Sequence, residues 1–385
     1  MKGPVLFALL GAMLVCPTTS PASVNSETWQ ATTWTAKTTT PQAVSLTYTR
    51  ARVIGIPSSG LATKRAAAGL PTFSRYMTAR GASYKFTMVG RDLFAARAKN
   101  VAVPVKIIPV RFVFPDGTVF DPTAPAGDCT DGLSPLTLTL QSPVFSNHNY
   151  GDGSRQFYEF VRRIEFWPFT GGGRVNPGYS VRLSPSVLPT LTIVLPNGYE
   201  NHAVPCGRVG LIDMASLRAF LASQIFPQIT RMGITTGSFA LFLFHNVVVT
   251  DGDSIDLGFH SAFSTSKGVQ TYGVAEYDST QIDPTITDIS VISHEVAEWY
   301  DDPFVNNFVP PWGHIGQVSD CYPLLEVGDP LSGQPLFEIE MPNGISYHLQ
   351  ETAYFSWFFN QSQSYGANGY YSSGGTLTAP ADPCN

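Results

Sequence analysis

Residues 288–303 read Asp288-Ile289-Ser290-Val291-Ile292-Ser293-His294-Glu295-Val296-Ala297-Glu298-Trp299-Tyr300-Asp301-Asp302-Pro303. At 100° per residue, Ile289, Ile292, Val296 and Trp299 fall on one side of a helix, with Tyr300 at its edge. His294 and Glu298 fall one turn apart on the opposite side, and Asp301 joins them. Glu295 points about a quarter turn away. Upstream, Asp283-Pro284 offers a helix start and Thr285-x-x-Asp288 a capping box. Pro303 stops the helix just after Asp302. The pattern predicts a helix with one face in a core and the other presenting an imidazole and several carboxylates.

That second face suits a metal ion. Side chains at i and i+4 can reach one ion, and neutral imidazole and carboxylate are both zinc ligands. Glu295 occupies the place of the catalytic glutamate in an H-E-x-x-H helix, where it accepts a proton from a water acidified by the ion. Glu295, Glu298, Asp301 and Asp302 put four acids in eight residues, and Lys267 is the sole Lys or Arg between Arg231 and Asp302. Such crowding needs water, a distant base or a cation to relieve it. The plain alternative is a solvated polar face, but a chain with only 14% charged residues makes a chance cluster less expected.

Further out along the chain, Met1-Lys2, the apolar run Val5–Val15 and Ser20-Pro21-Ala22 read as a secretory signal cleaved after Ala22. Cys16 raises a lipoprotein reading, against which Val15 is too large for a lipobox. No later run is apolar enough to span a membrane, so a soluble secreted or extracellular protein is expected, periplasmic if the source is a Gram-negative bacterium. The mature chain keeps Cys129, Cys206, Cys321 and Cys384, an even count that predicts two disulfides among three possible pairings. Thiolate metal binding is the rival reading, disfavoured because no two of them are close in sequence. A net charge of −6 provides no basic patch, so nucleic acid is not an expected partner.

The expected organisation is a signal peptide at 1–22, a Thr/Ser-rich flexible leader at 23–50, a β-rich region at 51–206 and a metal-site region at 207–385. In the first region, Val103–Phe114 with Asp116-Gly117 predicts a hairpin, and Leu136–Leu140 alternates as a strand. Ser154–Phe166 predicts a helix and Leu191–Leu195 a strand closed by Pro196-Asn197-Gly198. In the second, Asp213 caps a helix carrying Leu217, Phe220, Leu221 and Ile225. Phe239–Val249 reads as one buried strand and Gly268–Tyr277 as another. The fold class expected is α+β.

The run His294-Glu295-Val296-Ala297-Glu298 resembles the helix of the zincin metallopeptidases with Glu in place of the second His. Ser293–Pro303 is similar to a Ser-His-Glu-Leu-Ala-Glu…Asp-Pro pattern of secreted bacterial proteins, some distantly similar to the plant phosphate-induced (EXORDIUM-like) family. Glu326-Val327-Gly328-Asp329 is similar to a Glu-Ile-Gly-Asp stretch that follows the helix in that set. The resemblance covers about residues 240–360. It implies a zincin-like mixed sheet carrying the metal-site helix, and a third ligand at Asp329 first and Glu326 second. Asp320, His314 and His260 are further candidates, each more commonly an ordinary loop or surface residue.

Other chemistries lack support. Gly171-Gly172-Gly173 is not followed by a phosphate-loop Lys, no G-x-S-x-G elbow occurs, and Asp251-Gly252-Asp253 lacks EF-hand spacing. Tyr354, Phe355, Trp357, Phe358 and Phe359 read as core rather than a sugar platform. The function expected is a zinc-dependent hydrolase acting on a peptide or protein substrate, with His294, Glu298 and an acidic residue on the ion and Glu295 as general base. Its substrate would lie along an edge strand such as Phe239–Val249. The alternative is a non-catalytic secreted or cell-surface protein that keeps the metal-binding scaffold, its carboxylates taking calcium or nothing.

Overall fold

The computed structural model describes residues 28–30, 51–55 and 69–384, apart from 96–99, 152, 172–174 and 253. The signal at 1–22 with Cys16, most of the 23–50 leader, Gly172, Gly173 and Asp253 lie outside the described residues.

Hydrophobic runs in the middle of the chain assemble a mixed sheet of 13 strands. Strands hold 41% of the described residues and helices 20%, so the fold is β-rich with few helices. The Val101–Val113 strand is central. It runs parallel to Val181–Val187 and Thr190–Val194 on one side and to Phe239–His245 on the other. Its inward residues alternate between two cores. Val103, Val105 and Ile107 enter one, while Ile108, Val110 and Phe112 enter the other. Phe239, Leu241 and Leu243 against Ala240, Phe242 and Phe244 repeat the division. A strand covered on both faces must be apolar at every position, which is why these segments read as unbroken hydrophobic runs. Strands from both sides of residue 206 share this one sheet.

Several predicted elements are present. Phe112 pairs antiparallel with Phe120 across Asp116-Gly117. Phe157–Glu165 and Met214–Phe220 are helices, the second capped by Asp213, whose Oδ1 accepts the Ser216 N–H at 2.7 Å. Leu217, Phe220, Leu221 and Ile225 are all buried.

Three expectations are corrected. Leu136–Leu140 is not a strand but part of a helix, Pro135–Gln141. Ser134 caps it by accepting the Thr137 N–H at 3.2 Å, and Pro135 takes the first helical position. This local Ser-Pro start outweighs a period-two pattern only five residues long. Phe239–Val249 is two strands, Phe239–His245 and Val247–Asp251, broken at Asn246, whose φ of 49° is left-handed. Neither is a sheet edge: the first lies between Val101–Val113 and Gly268–Asp283, and the second between Arg208–Asp213 and Ser254–Thr265. The helix after Asp283 begins at Ser290, with no Thr285–Asp288 capping box. Asp283 instead closes a turn onto Thr285, and Ile286–Asp288 returns as a short strand against Gly268–Asp283. Asp-Pro here is turn chemistry, which the sequence pattern shares with a helix start.

Cys129 is bonded to Cys206, and Cys321 to Cys384. Among the described residues no helix is long and apolar enough to cross a membrane. Tyr354, Phe355, Trp357, Phe358 and Phe359 are buried in the core.

Candidate metal centre

The site is built on the Ser290–Asp301 helix. Its apolar side packs as the spacing predicts, with Trp299 stacked on Phe239 at 4.3 Å between centroids and its Nε1–H donated to Thr271 Oγ1 at 3.1 Å. The opposite side is buried too, as is every residue of this helix, which sets aside the alternative of a solvated polar face. The Ser254–Thr265 strand and the segments around 326–329 and 350 cover it. Gly258 makes the close approach possible: a Cβ there would lie 2.9 Å from Val291 Cγ1 and 3.1 Å from Glu295 Cγ.

His294 and Glu298 meet as the one-turn spacing requires, and Asp329 joins them. His294 Nε2 stands 2.9 Å from Glu298 Oε1 and 3.3 Å from Asp329 Oδ1, near enough for charge contact but not aligned as a hydrogen bond. The other ring nitrogen is fixed from outside. Gln350 Nε2 donates to the Gly328 carbonyl at 2.7 Å, so its Oε1 is the atom 2.8 Å from His294 Nδ1. An amide oxygen only accepts, so Nδ1 carries a proton and Nε2 faces the carboxylates. Gly328 lies flat against the ring, where a Cβ would come within 2.6 Å of Nδ1 and Cε1. Its N–H donates to Glu298 Oε1 at 3.2 Å, and Gln317 Nε2 donates to Asp329 Oδ1 at 2.5 Å.

A second group adjoins the first. His260 Nδ1 lies 3.2 Å from Glu295 Oε2 and 3.4 Å from Glu298 Oε2, and its Nε2 lies 4.0 Å from Glu326 Oε2. Glu326 therefore faces His260 rather than His294. The side chains of both histidines, Glu295, Glu298 and Glu326 have no solvent exposure, and that of Asp329 is 5% exposed. His260 Nε2, His294 Nε2, Glu295 Oε1, Glu298 Oε2 and both Glu326 oxygens have no hydrogen-bond partner. A buried polar atom in that state costs about 1–3 kcal/mol, more when charged. Six of them in one cluster form a donor set that a cation would fit.

Burial and mutual repulsion divide the titrations. Burial raises Glu295 to about 7 and Asp329 to about 8 despite the histidines beside them. It raises Glu326 as well, reinforced by the charges of Glu298 and Asp329. Burial would raise Glu298 too, but the charges of His294 and His260 outweigh it and hold this carboxyl at about 2. Burial would lower His260, yet the hydrogen bond to Glu295 and the charges of Glu298 and Glu295 carry it to about 10. His294 rises the same way through Glu298 and Asp329. Glu298, central to both groups, is the carboxylate that stays ionised.

The remaining acids of the helix serve elsewhere. Asp301 pairs with Arg162 at 2.6 Å, so part of the acid crowding is relieved by a base distant in sequence. Asp302 accepts the Asn306 and Asn307 N–H groups at 3.0 and 2.8 Å. His314 and Asp320 are exposed and outside the cluster. His314 lies near Cys321 and Cys384, but those sulfurs are spent on a disulfide, which removes the thiolate reading there. Sequence reasoning missed Gln350, Gln317 and the steric role of Gly328. Gln350 carries no motif and lies 56 residues from His294, so only the fold could place it.

The donor set of imidazole nitrogens and carboxylate oxygens suits a first-row divalent ion better than calcium, which takes oxygen ligands. No family model, curated protein or solved structure matches the chain.

Proposed function

We propose that the chain is a secreted, zinc-dependent hydrolase on a zincin-like scaffold, cleaving peptide bonds, with His294, Glu298 and Asp329 as ligands and Glu295 as general base. One observation carries this reading. Asp329 comes within 3.3 Å of the same His294 nitrogen that Glu298 approaches at 2.9 Å, which supports these three as the ligand set that a catalytic zinc would need. Zinc held there would acidify a water towards neutral pH. In this reading Glu295 would take the proton: its Oε1 has no partner, and its other oxygen is tied to His260, which also contacts Glu298. The two disulfides are compatible with an oxidising, extracellular compartment.

A second reading draws on burial. Structural zinc sites are closed, whereas catalytic ones keep an open position, and here His294, Glu295 and Glu298 have no exposed side-chain surface. In that reading the ion clamps the helix to the 326–329 segment and no chemistry follows.

Zinc content and hydrolysis of a mixed peptide library separate the two. The hydrolase reading expects Glu295→Gln to keep its zinc and lose at least about 100-fold in rate, and Glu298→Ala to lose zinc. Unchanged hydrolysis in Glu295→Gln removes it as the base, and equal zinc in Glu298→Ala removes Glu298 from the site. A zinc-loaded protein that cleaves nothing but melts at lower temperature on chelation supports the clamp.

A further inference from the structure

We infer that this centre takes two divalent cations rather than one, bridged by Glu298, with the second ion held by His260, Glu295 and Glu298. The inference rests on the metal site proposed at His294, Glu298 and Asp329 and adds a neighbour to it.

The two oxygens of Glu298 are divided between two histidines. Oε1 faces His294 Nε2 at 2.9 Å, and Oε2 faces His260 Nδ1 at 3.4 Å. Each trio, His294–Glu298–Asp329 and His260–Glu295–Glu298, offers ligand atoms within 4.8 Å of one another. Neighbouring ligands of a tetrahedral zinc, with bonds of about 2.0–2.1 Å, stand about 3.3 Å apart. The measured separations, 2.9 and 3.3 Å in one trio and 3.2 and 3.4 Å in the other, bracket that value. A carboxylate giving one oxygen to each of two ions suits the spacing of about 3.5–4 Å found in two-metal sites.

Charge is compatible with two ions. Ligation requires deprotonated donors, and with Glu295, Glu298, Glu326 and Asp329 ionised and both histidines neutral the buried set would carry four negative charges, which two divalent ions balance. The second nitrogen of His294 is held by Gln350 Oε1 at 2.8 Å, a partner that orients the ring and sets its tautomer for ligation. Glu326 Oε2 lies 4.0 Å from His260 Nε2, a charge contact and not a hydrogen bond. Glu295 gives Oε2 to the second ion and keeps Oε1, which has no partner, to accept a proton. The second ion is thus compatible with its role as base.

The test uses the full chain, stripped with chelator and reloaded with Mn(II), read by elemental analysis and electron paramagnetic resonance. Two ions per chain with a spin-coupled spectrum are expected. His260→Ala and Asp329→Ala should each drop to one ion and give the six-line signal of isolated Mn(II). One ion in the wild type, unchanged in His260→Ala, overturns the second ion while leaving the single-ion hydrolase standing. No ion in the wild type overturns both. Two ions with uncoupled spectra overturn the bridge. The wild-type measurements need no variant, so the inference stays testable even if a substitution unfolds the protein.

Discussion

Gln350 determines which nitrogen of His294 is available. Its own orientation is forced, since the Gly328 carbonyl can only accept and therefore takes the amide N–H. Outer partners of this kind typically contribute 10–100-fold to metal affinity. Gln350→Ala is accordingly expected to weaken zinc binding by about 10–100-fold, measured by competition with a chromophoric chelator. Equal affinity would mean that packing alone holds the ring. His245, away from the centre, gives a pH signature. Burial lowers it from 6.5 to about 4. Between those values the unfolded chain binds a proton that the folded chain refuses. Stability is therefore complete above about 6.5 and falls by about 3 kcal/mol as pH drops towards 4. His245→Gln should flatten that part of the curve in urea titrations at stepped pH. An identical slope in both proteins would refute the assignment.

At the scale of the element, the Ser290–Asp301 helix is anchored as well as buried. Arg162 reaches it from another helix, donating to Asp301 Oδ1 at 2.6 Å and to the Tyr300 carbonyl at 3.0 Å. Both side chains are nearly inaccessible, at 3% and 11% exposure, so Arg162→Met would strand a buried carboxylate. The expected cost is about 3–5 kcal/mol, with most of it recovered in a double variant that also carries Asp301→Leu. A single-variant loss below about 1 kcal/mol would show the pair to be solvent-screened. The apolar face and the stop at Pro303 are legible in this helix from 3.6-residue spacing alone. The cap was not, because Asp283-Pro284 and Thr285-x-x-Asp288 serve a turn and a short strand equally well. The cover over the polar face was not legible either, since spacing describes one helix and not its neighbours.

Across the molecule, the disulfides close loops of 77 and 63 residues. Cross-links of this span should each contribute about 4 kcal/mol by restricting the unfolded chain. Cys384→Ser should lower the melting temperature in metal-free protein and abolish the part of the reductant-induced shift due to that bond. A shift from reductant that is the same size in wild type and Cys384→Ser would mean the Cys321–Cys384 bond adds nothing. The even cysteine count predicted two bonds, but the pairing came from which loops the sheet brings together. The same division runs through the whole protein. Sequence by itself determined the β-rich class, the site helix and the facing of His294 and Glu298, because these depend on periodicity within ten or so residues. Only the tertiary structure decided that Asp329 meets His294, that Glu326 meets His260 and that Gln350 fixes a ring nitrogen. It also paired Asp301 with Arg162, 139 residues away. Contacts of that separation follow from sheet order and close packing, and no local pattern encodes them.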